Sequence, residues 1–474
     1  MIIASFVAFL LFFTLVGLAS IIKSKNTTND YLVAGNSVKP WLVGISAVAT
    51  NNSGFMFIAM IGYTYASGLS SIWVILPWIF GDFLASLFIH KRLRVATGKR
   101  HITTFSGLLS DWSGRDYTMV RKISAVIIIL FLGTYAAAQL SAGSKALHVL
   151  FGWNYSIGAI IGSVIVLAYC FAGGIRASIW TDAAQSFVMI AAMALLAFTA
   201  INHVGGLNEF ITKLNNISPT YMNWFPEDLL WGPFIGAMLL ITSWTVAGIG
   251  VIGQPHIMIR FMAMDRPQDM KAVRFYYYGW YLLFTIFTLT AGFAARILLP
   301  EATEGISFDS ELALPNLAQM LLPEILIGMI LAGLFAATMS TADSQILSCS
   351  AALTQDLEFG KDNYILTKIG TIFVTVTALT IALYGDDNVF SLVKLAWSAL
   401  GSAFSPLLLV YALGGKPTEK TATLMMIIGL ISMLLWKYLG YSAALYEIFP
   451  GIVAGLITYK ISFLKNKMAV KNPV

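Results

Sequence analysis

Long apolar runs alternate with short polar connections along almost the whole chain. A membrane-crossing helix needs about 20 mostly apolar residues. About thirteen stretches qualify, at roughly 2–22, 41–64, 69–90, 120–147, 155–173, 180–200, 229–252, 273–297, 325–354, 365–384, 388–412, 421–439 and 445–463. The pattern predicts an all-α polytopic membrane protein with about thirteen transmembrane helices. The longest connections, near 30 residues, leave little room for a soluble domain, so function is expected inside the helix bundle. The first apolar run carries no charge and exceeds the roughly 7–15 residues of a signal-peptide core, which predicts a retained first helix.

Composition agrees, with 58% hydrophobic and 11% charged residues, where a soluble domain carries roughly 25% charged. In a soluble protein the excess of 29 Lys and Arg over 23 Asp and Glu would suggest nucleic acid. Here its distribution decides otherwise. When alternate connections are assigned to opposite sides, 24 of the 29 basic residues, Arg260 among them, fall on one side and four on the other; Lys394 lies within a span. The basic side is expected to be cytoplasmic, placing the N-terminus outside and the C-terminus inside. The expected partners are the lipid bilayer, ions and a small solute, with no nucleic acid. Cys170 and Cys349 make no disulfide framework, and the five histidines have no ligand spacing. No glycine-rich phosphate loop with its lysine is present, so transport would draw on an ion gradient. One outer connection gathers Glu301, Glu304, Asp309 and Glu311, either a solvated loop or an attractor of cations.

Polar residues at membrane depth mark the candidate site. The second span holds Thr50, Asn51, Asn52, Ser53 and Gly54 near its middle, a pattern that predicts a helix break. Five spans later, Gly248, Gly250 and Gly253 precede Pro255 and weaken the seventh. Paired interruptions at that interval suggest an inverted repeat with a midplane site; close packing through small residues is the alternative. On the ninth span Ala337, Ser340, Thr341 and Ser344 share a face that offers oxygens to a small cation, or hydroxyls to their own backbone. Asp182 and Asp343 lie within spans, where a carboxylate is a functional candidate. They could hold a second cation with Ser340 and Ser344, or Asp182 could anchor its helix end. Asp82, beside Gly81, is equally open. Lys394 lies about seven residues into its span, either snorkelling outward or serving as an outer gate or carboxylate partner.

Three motifs, GQPHIMIRFMAMD at 253–265, STADSQIL at 340–347 and WTDAAQ at 180–185, resemble the sodium:solute symporter family, and within it the bacterial sodium/proline symporters. The likeness extends through YLVAGNSVKPW at 31–41, LVKLAWSALGSAFSP at 392–406 and WKYLGYSAALYEIFPG at 436–451. It implies one transporter domain over 1–474, with a LeuT-type five-plus-five inverted-repeat core at 41–412, an extra N-terminal helix at 1–30 and two C-terminal helices at 421–463. It implies a bacterial inner-membrane location. It further implies a sodium (Na+) site formed by the carbonyls of Ala49 and Asn52 with Ala337, Ser340 and Thr341. Asp182, Asp343 and Ser344 form a candidate second sodium site. The expected solute contacts are Asn51, Ser53, Tyr135, Gln139, Ala247, Val251 and Pro255. Tyr135 and Pro255 match the proline carriers, whereas Ala247 and Val251 stand where those carriers have Trp and Tyr, and Asn51 where they have Asp. The implied activity is sodium-coupled import of a small organic solute, proline first. Another carboxylated or polar solute, or a membrane solute sensor, is the alternative. No nucleophile with a base and an orienting partner can be assembled, so an enzyme is not expected.

Overall fold

The computed structural model describes residues 1–299, 309–385, 389–443 and 445–471; Glu301 and Glu304 lie outside the described residues. The principal helices are α1 (Ile2–Ala19), α2 (Pro40–Gly54), α3 (Met60–Ser67), α4 (Ile72–Phe88), α5 (Gly133–Phe151), α6 (Tyr155–Val204), α7 (Pro233–Ile249), α8 (Pro255–Ala263), α9 (Met270–Leu298), α10 (Glu324–Ala351), α11 (Tyr364–Tyr384), α12 (Val389–Ala412), α13 (Glu419–Tyr438) and α14 (Ile448–Lys471). Among the described residues no strand forms. A single bridge joins Val38 to Met264, tying the segment before α2 to the end of α8.

Eleven helical stretches among the described residues are long and apolar enough to cross a membrane. Two of these, Pro40–Phe88 with 49 residues and Tyr155–Val204 with 50, each contain about 75 Å of helix at 1.5 Å per residue, more than twice a hydrocarbon core of about 30 Å. Each is interrupted at a glycine of positive φ, Gly68 at 66° and Gly174 at 56°. The expected thirteen spans count both stretches as two crossings.

The interruption at Gly174 is enforced by packing as well as by φ, because a Cβ there would lie 2.3 Å from the Tyr31 carbonyl oxygen. Arg176, two residues on, pairs with Asp30 at 2.5 Å and donates to the Ala34 carbonyl at 2.8 Å. The bend in α6 is thereby pinned to the segment that leads into α2.

The two interruptions near the centre match the expected positions. Ser53, at the end of α2, adopts φ 46° and ψ −169°, a conformation costing a non-glycine residue about 1–3 kcal/mol. The Gly54 amide donates to Gln139 Oε1 at 3.2 Å and the Phe55 amide to Ser53 Oγ at 3.1 Å, replacing bonds the helix gives up. Between α7 and α8 the chain tightens over Gly250–Gly253 and becomes extended at Gln254, whose Nε2 donates to the Trp397 carbonyl at 3.0 Å. Pro255 then starts α8 at a position where its missing N–H is harmless.

Around these broken segments α10 and α12 form the most enclosed part of the bundle, while α1 packs on α6 and α10, and the paired α13 and α14 lean on α12. The α4–α7 crossing depends on facing glycines. A Cβ on Gly248 would lie 2.0 Å from the Trp78 carbonyl oxygen, and one on Gly81 would lie 1.9 Å from that of Thr245. Neither neighbour can yield, because both are backbone. Gly248→Ala is therefore expected to lower Tm in detergent, with a cost of about 1–3 kcal/mol. Gly279→Ala, where nothing lies within 4 Å, should leave Tm nearly unchanged; equal shifts for both would refute the close-approach argument.

Candidate ion and solute site

The first cluster lies where the last turns of α2 meet α10. Thr341 Oγ1 donates to the carbonyls of Thr50 at 3.1 Å and Ala337 at 3.2 Å, and Ser340 Oγ reaches the Ala337 carbonyl at 3.1 Å. Four oxygens from two helices thus converge in a fully buried place. The α2 carbonyl that meets Thr341 is that of Thr50, which lies between the expected Ala49 and Asn52. The hydroxyls of this α10 face bond their own helix backbone, and that of Thr341 also donates across to α2.

The second cluster adjoins the first through Thr50, whose Oγ1 lies 3.4 Å from Asp182 Oδ2 and 3.4 Å from Ser344 Oγ. Asp182 of α6 and Asp343 of α10 do come together, but around Arg260 of α8. All three side chains are 0% exposed. Arg260 lies 3.1 Å from Asp182 Oδ2 and 3.8 Å from Asp343 Oδ1. It donates to Ser178 Oγ at 2.8 Å, Ser46 Oγ at 3.2 Å and the His256 carbonyl at 2.6 Å, and also to Ser344 Oγ. Hydroxyls complete the carboxylates: Ser46 donates to Asp182 at 2.6 Å, and Tyr169 and Ser178 each donate to Asp343 at 2.8 Å. This corrects the placement of Arg260 among the cytoplasmic charges. Asp182 likewise belongs to a buried network rather than capping a helix end.

The third feature is a narrow cavity beside the α2 interruption. Asn51, Asn52, Ser53 and Tyr135 line it, together with Trp78, Trp397 and Lys394. Asn51 Oδ1 and both polar atoms of the Asn52 side chain are buried without a hydrogen-bond partner in the protein, an arrangement costly unless a ligand or water completes it. Trp78 packs on Trp397 with ring centres 4.7 Å apart and on Trp244 at 5.9 Å; Tyr446 follows at 5.2 Å from Trp244. These aromatics give the cavity a broad apolar wall. Trp244, Lys394 and Tyr446 also line a neighbouring vestibule, so they separate the two spaces. Lys394 lies 5.2 Å from the centre of the Tyr446 ring and lines both spaces, and so faces into the protein.

The remaining expected contacts lie elsewhere. Gln139 is buried behind the cavity as the acceptor for Gly54. Ala247 and Val251 are buried off its lining; the Ala247 carbonyl accepts from Trp397 Nε1 at 3.4 Å. Pro255 lines a separate space with Asp356 and Ile128. Asp82 resolves into a relay, Asn51 Nδ2 donating to the Tyr277 hydroxyl at 2.6 Å and that hydroxyl to Asp82 Oδ2 at 2.8 Å. Sequence reasoning missed Arg260 as a site residue because its charge counts toward the cytoplasmic bias. The signal was its neighbours, since HIMIRFMA flanks it with apolar residues on every side.

The family model described as "Sodium:solute symporter family" matches residues 31–429, a range that contains the first two clusters and all of the named cavity lining except Tyr446. The chain belongs to the sodium:solute symporter family. It is a transporter, not an enzyme. It is 31% identical over 461 residues to the sodium/proline symporter of Salmonella typhimurium, covering 94% of this chain and 89% of the relative. The high-affinity proline transporter PutP of Bacillus subtilis is 28% identical over 445 residues, covering 92% of each chain. Among solved structures, a substrate-bound, outward-open Na+-coupled sialic acid symporter superposes with a TM-score of 0.80 at 20% identity, covering 97% of this chain and 98% of that one. The structure of MhsT in complex with L-phenylalanine gives a TM-score of 0.55 at 14% identity, covering 89% of this chain and 98% of that one. This symporter therefore has the LeuT-type fold.

The Asn51–Tyr277–Asp82 relay makes a direct prediction. Tyr277→Phe removes the hydroxyl that serves both neighbours, so stability should fall by about 1–3 kcal/mol, the cost of an unsatisfied buried group. Thermal unfolding in detergent checks it. In the double variant Tyr277→Phe with Asp82→Leu, part of the loss should return; strictly additive losses would rule out the relay.

Proposed function

We propose that this symporter couples inward sodium flow to uptake of a small amino acid, with L-proline the first solute to test. The observation that carries this reading is the cavity at the α2 interruption, where the Asn52 amide and the Asn51 amide oxygen, both without protein partners, share the lining with an aromatic wall beside an oxygen cluster. A small zwitterion matches both surfaces: its charged groups meet the Asn51, Asn52 and Ser53 end, and its hydrocarbon packs on Trp78 and Trp397. The names of the curated relatives support proline as the starting point. The basic-residue bias supports an inner-membrane protein with its N-terminus outside and C-terminus cytoplasmic. On this reading the inverted-repeat core of 41–412 transports, and helices at 1–30 and 421–463 flank it.

Sodium is the driving cargo, held by the carbonyls of Ala49 and Asn52 with Ala337, Ser340 and Thr341. Neutral oxygens bind a monovalent ion weakly enough to release it on the far side. An ion bridging α2 and α10 draws the interrupted helix onto its neighbour, and because the same interruption forms one wall of the cavity, sodium raises solute affinity. Linkage then requires the solute to raise sodium affinity by the same factor.

A second reading, a solute bearing an additional acidic group, is favoured by Lys394 on the wall shared by cavity and vestibule. Competition of labelled proline uptake by acidic and neutral amino acids distinguishes the two.

The double variant Ser340→Ala, Thr341→Ala is expected to raise the sodium concentration for half-maximal uptake at least about tenfold, equivalent to about 1.4 kcal/mol. Its uptake rate at saturating sodium should fall much less. An unchanged sodium dependence in proteoliposomes would remove these hydroxyls from the ion site.

A further inference from the structure

We infer that the guanidinium of Arg260 is a tethered cation that takes the position a second mobile sodium would need, so that this symporter carries one sodium at the α2–α10 cluster and none at the carboxylates. The inference rests on the proposed sodium coupling and sets its stoichiometry.

A second sodium would draw its ligands from Asp182, Asp343 and Ser344, together with the hydroxyls around them. The side chain of Arg260 contacts that same set: Asp182 Oδ2 at 3.1 Å, Asp343 Oδ1 at 3.8 Å, Ser178 Oγ at 2.8 Å, Ser46 Oγ at 3.2 Å, and Ser344 Oγ. The other carboxylate oxygen of Asp343 accepts from Tyr169 at 2.8 Å. In the whole cluster only Asp182 Oδ1 is left without a hydrogen-bond partner. A hard cation gathers several oxygens at once, and one free oxygen does not make a site. Guanidinium also differs from sodium in being held covalently by α8, so it cannot leave during the cycle. Its planar fork of donors engages the carboxylates without the complete dehydration that a bare ion requires.

The arrangement has a further consequence. Arg260 is on α8, the half-helix after the second interruption, whereas Asp182 and Asp343 are on α6 and α10. A fixed cation there holds α8 against its neighbours whether or not sodium is bound. The ion sensitivity of the cycle is thereby confined to the α2–α10 cluster.

The test counts bound ions directly, using 22Na+ and the purified full-length protein in a scintillation proximity assay without solute. One sodium per chain, with a Hill coefficient of about 1, is expected. Two per chain would overturn the inference while leaving sodium coupling intact. No specific sodium binding would overturn the proposed coupling itself, and this inference with it. In the same assay Arg260→Ala should uncover a second binding event and raise the Hill coefficient toward about 2; a single event in the folded variant counts against the inference. Asp182→Asn, which retains an oxygen toward Arg260, keeps the question decidable if Arg260→Ala does not fold. It should still bind one sodium per chain, and loss of a bound sodium in Asp182→Asn would overturn the inference.

Discussion

A bilayer core offers no water to a broken helix, so every backbone group that an interruption frees must find its partner within the protein. The centre of this symporter is arranged around that constraint. The turn at Ser53 takes the Gly54 amide to Gln139 and the Phe55 amide to the Ser53 hydroxyl, and the Thr50 carbonyl just before it accepts from Thr341. At the second interruption the Gln254 side chain and the Trp397 carbonyl hold the extended backbone. These supports come from α5, α10 and α12, which is why those helices enclose the site. The same interruptions aim carbonyls and amides inward. In the proposed cycle, ion binding and solute binding are therefore both consequences of how the break is stabilised.

Charge at this depth obeys a stricter form of the same rule. Asp182, Asp343 and Arg260 are buried together, and removing Arg260 leaves two buried carboxylates without a countercharge, a change that costs several kcal/mol in proteins generally. Hydroxyls from Ser46, Tyr169, Ser178 and Ser344 provide the remaining bonds. The network joins α2, α6, α8 and α10 at one point. Thr50 lies between it and the oxygens of Ala337, Ser340 and Thr341, so the charged and neutral clusters are neighbours that share a helix. In the proposed coupling, sodium at the neutral cluster acts on a helix that the charged cluster already holds.

Much of the fold was legible in the sequence because apolar length and helix-breaking residues are local signals. The polar run Thr50 to Gly54 and the glycines before Pro255 marked both interruptions, and Ala337, Ser340 and Thr341 share a face simply because a helix repeats every three to four residues. What was not legible depends on contacts between distant segments. Arg260 reads as a loop cation until α6 and α10 are packed against α8. Trp78, Trp244 and Tyr446 are ordinary interfacial aromatics along the chain and become a cavity wall only when α4, α7 and the segment before α14 meet. Ala247, Val251 and Pro255 were assigned through resemblance to the family, and the geometry puts other side chains on the cavity. Lys394 could equally have reached outward on sequence grounds; the ring of Tyr446 and the two adjoining spaces show that it faces inward.

The central claim is that an ion at the α2–α10 junction and a solute in the adjoining cavity move together. Uptake of labelled L-proline into proteoliposomes containing the purified protein tests it most directly, with an inward sodium gradient in one arm and an equal potassium gradient in the other. The account predicts accumulation above the external concentration with sodium and none with potassium. Proline that merely equilibrates across the membrane at the same rate in both arms would contradict it.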